Sequence, residues 1–199
     1  MIFGLLKENL INMKKIFLTL LSVYSFTLFA ATPSLQIMNE DSLECLTKRS
    51  VFTQFVKQKN YVDAYSPWRW AFVNCPSSSK NIYIDGAKII KSKIKEFKSQ
   101  PDILSAYVDT LFTIYDMRIS YFGQQGFISG VKGSDMMRYR SKTQLEEAHQ
   151  LLETSVELEG SKSRATALYY YFKSVSSLTK KGILTKADVL EAYATVTQH

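Results

Sequence analysis

Two cysteines and two histidines are all that this chain of 199 residues holds of the side chains that most often bind metals or act as nucleophile and base. Two cysteines cannot build a four-ligand structural zinc site. His149 lies on the polar side of a helical segment and His199 is the last residue, so neither pairs with an evident nucleophile. H-E-x-x-H is absent. Glu146-Glu147 and the pair Glu157 and Glu159 read as helix-surface charges, because an acid/base carboxylate pair needs burial to separate its pKa values. The sequence therefore presents no catalytic, cofactor-binding or metal-binding residue, and it does not read as an enzyme. Alternation is lacking too. Valine, isoleucine and threonine never alternate with polar residues for long enough to mark a sheet. Long apolar runs are equally scarce. The run from Ile16 to Ala31 spans about 16 residues, short of the roughly 20 that cross a bilayer.

That run follows Lys14-Lys15 and ends in Ala30-Ala31, the layout of a secretory signal, with Met13 a plausible true start. Leu28 falls at −3 if cleavage follows Ala30, so an uncleaved N-terminal anchor stands as the alternative. Residues 1–31 are read as a signal peptide, 32–41 as a short polar lead, and 42–199 as one helical domain. Lys7, Glu8, Lys14 and Lys15 carry +2 of the formal +7, leaving about +5 on the remaining 168 residues. That mild basicity does not imply nucleic acid, which an exported protein rarely meets. Any membrane contact is expected only through an uncleaved signal.

Lys48 to Pro76 is the most informative stretch. The tetratricopeptide pattern runs W-x₂-L-G-x₂-Y, then A-x₃-F, then P. Here Val51 takes the leucine slot, Phe55 the tyrosine slot, Ala64 and Trp68 the A-x₃-F pair, and Pro76 the closing proline. Lys48 and Phe52 depart from the tryptophan and glycine slots. A small residue at Ala64 allows two helices to approach, Trp68 fills the groove beside it, and Pro76 stops the second helix. Gly86 falls one period of about 34 residues after Phe52, where a second repeat would place its glycine.

The spacing predicts helices over about 42–59, 61–74, 81–99, 101–122, 142–158 and 163–180, and a seventh capped by Thr185. Tyr83, Ala87, Ile90, Ile94 and Phe97 stripe the third, with Lys88, Lys91, Lys95 and Lys98 opposite. Those lysines read first as a solvated face and second as a ridge for an anionic partner. Pro101 suits the first turn of the fourth helix. Gly123 to Ser134, with four glycines, reads as the one clear loop, and Ser134 or Asp135 as the cap of a short segment after it. A P-loop is excluded there, since Lys132 follows Val131 and precedes Gly133. The seventh helix runs out at residues 194–199 with no terminator, as if continued by more chain or completed by a second molecule.

If the first hairpin turns at Asn60, Cys45 lies 15 residues before the turn and Cys75 15 after it, facing each other. An oxidising compartment then favours a disulfide, stabilising by about 3–4 kcal/mol in the chain-entropy model; two buried free thiols are the alternative.

The block Asn74-Cys75-Pro76 with Asn81-Ile82-Tyr83, the segment Tyr107 to Phe122 with Gly126-Phe127, and Gly130 to Asp135 resemble exported tetratricopeptide-repeat proteins of the Bacteroidetes. The likeness spans roughly 43–198 and implies an all-α, TPR-like α-solenoid of stacked antiparallel hairpins, of about seven helices. It implies a periplasmic or envelope scaffold that binds a protein or peptide, with no ligand carried over. The second hairpin, near 40 residues, departs from the regular repeat. Candidate contacts are Arg118, Tyr121, Lys132, Arg138 and Arg140, which bracket the long loop; the bland reading is that they only pin it. A second function reading is a structural piece that self-associates, and a weak third is an envelope enzyme.

Overall fold

The computed structural model describes residues 42–198; the stretches expected to be a signal segment and a polar lead, and His199, lie outside them. Among the described residues the structure is all-helical: α1 (Leu43–Lys57), α2 (Tyr61–Asn74), α3 (Asn81–Glu96), α4 (Pro101–Phe122), α5 (Gln125–Tyr139), α6 (Leu145–Glu159), α7 (Ala165–Lys180) and α8 (Lys186–Thr197). Each helix packs on the next, so the chain stacks as antiparallel hairpins in sequence order. Two further contacts join alternate helices, α1 with α3 and α5 with α7. None of these helices is long and apolar enough to cross a membrane.

Local chemistry sets the helix ends. Ser42 caps α1 by accepting from the Cys45 amide. Asn60 caps α2 by accepting from the Asp63 amide. Thr185 and Asp188 form a reciprocal capping box on α8. Cys45 and Cys75 are joined by a disulfide, with Cα atoms 6.3 Å apart, which ties the open end of the first hairpin.

Ala64 and Trp68 are fully buried, as is Phe52 in the departing glycine slot. Val51, in the leucine slot, is exposed. The Trp68 Nε1–H donates to the Ile82 carbonyl at 2.8 Å, tying α2 to the start of α3. From there an aromatic column runs through Phe72 and Tyr83 to Tyr121 and Phe122 of α4.

The expected loop over 123–134 is not a loop. Only Gly123 and Gln124 separate α4 from α5, both at positive φ (67° and 65°). The remaining glycines are helical. Gly126, Gly130 and Gly133 recur at helical spacing, and a Cβ on any of them would strike α6 at Glu159, Ser155 or Leu152. They form a seam for close helix approach and do not punctuate the chain. Among the described residues this makes eight α-helices where about seven were expected. It also places Ser134 and Asp135 inside α5, both buried, and not at a cap.

Candidate binding surface

A buried carboxylate organises the middle of the stack. Asp135 of α5 is 2% exposed and accepts from Tyr115 Oη of α4 at 2.7 Å. It also pairs with Lys91 Nζ of α3 at 2.7 Å and with Arg138 at 3.1 Å. Two cations and a hydroxyl satisfy a charge that would otherwise be costly to bury. Burial, then the Asp135 charge, pushes the Tyr115 hydroxyl well above its ordinary value. Lys91 is thereby the one member of the α3 lysine row that crosses to α5; Lys88 pairs locally with Asp85.

Beside Asp135 lies a cavity of about 170 Å³. Its lining includes Lys91, Phe127, Ser155, Glu159 and Arg164, contributed by α3, α5, α6 and the segment leading into α7. The space suits one side chain or one small molecule. The Ser155 hydroxyl forms no hydrogen bond among the described residues, and neither Glu159 nor Arg164 has an ion-pair partner there.

The cations around this cavity are positioned by rings. Arg118 and Arg164 sit over Phe127, 5.5 and 5.3 Å from its centroid. Arg138 sits over Tyr170 at 5.8 Å, and Lys173 at 5.8 Å from both Tyr169 and Tyr170. Ring contacts fix a cation without cancelling its charge. Burial lowers the pKa of Arg118, whose Nε–H is enclosed without a hydrogen-bond partner, while a second nitrogen donates to Gln124 Oε1 at 3.1 Å.

The structure divides the five residues singled out in the sequence. Lys132 is bound to both carboxylate oxygens of Asp116, at 2.7 and 2.9 Å. Arg140 reaches back to Ser105 and Asp109 of α4. These two fasten α5 to α4. Tyr121 stacks on Tyr83 and does not line the cavity. Arg138 lines the cavity, and Arg118 adjoins it through Phe127. Sequence reasoning missed Phe127, Asp135, Glu159 and Arg164 as a group. A carboxylate directly before Met136-Met137 was the available signal for Asp135.

A different arrangement, on α6 and α7, brings a histidine and a serine together. Ser174 Oγ lies 2.7 Å from the Tyr171 carbonyl, to which it can donate, and 3.0 Å from His149 Nδ1. Ser174 is fully buried. Glu153, Glu157, Asp188 and Glu191 surround the neighbouring Tyr171 and add to the rise that burial imposes on its hydroxyl. Carboxylates thus collect by Tyr171 while ring-held cations collect by Tyr170. Among the described residues no cluster of three or more His, Cys, Asp or Glu side chains is placed to hold a metal ion.

Comparison with known proteins finds no family model, no curated protein and no solved structure that matches this chain.

Proposed function

We propose that this chain is an exported, tetratricopeptide-like scaffold of the cell envelope that binds a peptide or protein partner and performs no chemistry of its own. The observation that carries the reading is the cavity framed by α3, α5 and α6 and by Arg164, with unpaired polar groups facing it. A shallow, single-side-chain cavity on a rigid helical stack suits recognition of an extended segment. Export rests on the layout from Lys14 to Ala31. The test is selection of peptides from a random display library against the full chain, followed by hydrogen exchange. Binders should protect α5 and the start of α7. Selection that yields no peptide protecting these segments overturns the reading.

One observation favours self-association as a second reading. An open apolar groove between α7 and α8 is lined by Leu168, Phe172, Tyr193 and Val196, with Tyr169 and Tyr193 largely exposed. Light scattering across concentrations separates the two: a monomer throughout removes this second reading.

A further inference from the structure

The site proposed above has a charge pattern that selects among peptides. Arg118, Phe127 and Arg164 form one contact group, and Arg138, Tyr170 and Lys173 another. The cavity lies between them, since Phe127, Arg164 and Arg138 all line it. Among the described residues no carboxylate pairs with Arg118, Arg164 or Lys173. Of the two carboxylates lining the cavity, Asp135 is already neutralised by Lys91 and Arg138, which leaves Glu159 as the one unpaired anion there. Elsewhere in this molecule cations on and next to α5 are matched: Lys132 has Asp116, and Arg140, just past the end of α5, has Asp109. The face along α5 and the start of α7 therefore sets cations against aromatic rings, with Arg138 paired to Asp135 and with Arg118, Arg164 and Lys173 left without a carboxylate partner among the described residues.

We infer that this face binds an acidic peptide segment, a run of Asp and Glu side chains in which one residue enters the cavity and its neighbours meet the arginines on either side. The inference rests on the scaffold reading above and narrows it to a ligand class. Guanidinium groups donate in a fixed fork that matches carboxylates, and rings that hold them in advance reduce the ordering cost of binding. A cavity for one side chain favours a peptide over a membrane surface. Phe127 is already occupied by two guanidinium groups, which leaves its ring unsuited to stacking a nucleic-acid base.

The test uses the full chain and fluorescence anisotropy with four probes: a labelled peptide of ten glutamates, a serine–glycine peptide of equal length, a thymidine decamer, and phosphatidylglycerol vesicles. The glutamate peptide should bind most tightly and weaken as salt rises. Arg164→Gln and Arg118→Gln should each weaken it about three- to tenfold. Phe127→Leu, which removes the ring and keeps apolar volume, should do likewise. Lys132→Gln deletes an equal charge that is already paired with Asp116, and it should leave binding within about twofold. Equal losses for Lys132→Gln and Arg164→Gln would mean that net charge alone attracts the probe, and would overturn the inference. Tighter binding of the oligonucleotide or the vesicles would overturn it too, as would no binding of the glutamate peptide. Failure here is separable from failure of the scaffold reading: selected peptides that protect α5 but lack Asp and Glu would leave the scaffold and remove only the acidic ligand.

Discussion

Gly86 lies directly beneath the indole of Trp68, so close that a Cβ at position 86 would overlap the ring. The two residues come from α2 and α3, and the indole N–H is anchored on Ile82 one turn before Gly86. The contact joins the first hairpin to the second through a position that no larger residue can occupy without moving a fully buried tryptophan.

Gly86→Ala is therefore expected to destabilise the fold by about 1–3 kcal/mol, the usual cost of overpacking. Alanine has the better helix propensity, which makes the sign informative. Urea unfolding followed by far-UV circular dichroism measures it; an unchanged or higher midpoint would show that Trp68 yields easily.

Gly123 offers a contrast. A Cβ there would meet nothing within 4 Å, yet its φ of 67° and ψ of −142° belong to glycine. Gly123→Ala should cost about 1–3 kcal/mol through the backbone alone, whereas Gly130→Ala should cost a similar amount by driving into Ser155. Gly130→Ala combined with Ser155→Gly should recover stability, and no trimming of a neighbour should rescue Gly123→Ala.

Removing the Asp135 carboxylate leaves Lys91 and Arg138 without their shared counter-charge and Tyr115 without its acceptor. Asp135→Ala should lose about 3–5 kcal/mol, as when one partner of a buried ion pair is deleted. Asp135→Asn keeps the acceptor for Tyr115 and should lose less. Chemical denaturation of the two variants in parallel decides the ordering.

Tyr115 gives a sign for alkaline pH. Burial and Asp135 raise its pKa above the ordinary 10.0, so the folded state holds the proton after the unfolded chain has released it. The stability tied to that proton is whole below about pH 10 and is lost progressively as pH climbs toward the folded value. Tyr107, Tyr139 and Tyr171 shift the same way and add to the slope. Urea midpoints between pH 8 and 11 should fall at the upper end, and Tyr115→Phe should flatten that fall.

Reduction of the Cys45–Cys75 bridge should lower stability by about 3–4 kcal/mol, judged from the loop it closes. Thermal unfolding with and without a phosphine reductant reads this out, and peptide mapping under non-reducing conditions shows the two cysteines joined.

The all-helical architecture was legible wherever short-range signals were strong. Asn60 and Pro101 mark the starts of α2 and α4, and both helices run over the residues that the spacing predicts. Position 67 carries a proline inside α2 without ending it, because the packing of Trp68, Ala71 and Phe72 outweighs the lost hydrogen bond. α5 was illegible for a physical reason. Glycine reads locally as a breaker, and only the tertiary proximity of Ser155, Leu152 and Glu159 shows why three of them line one helix face. The candidate surface was partly legible. Arg118 stood out as a cation in an apolar segment, but its neighbour over Phe127 is Arg164, 46 positions onward, and no sequence period links them.

The disulfide gives the array a direction of weakness. Its cross-link braces α1 and α2, while α8 commits only Ala192 to the buried interior. Among the described residues the covalent tie therefore restrains the α1–α2 end, while the helices around the cavity beside Asp135 are held to one another by side-chain packing and ion pairs alone.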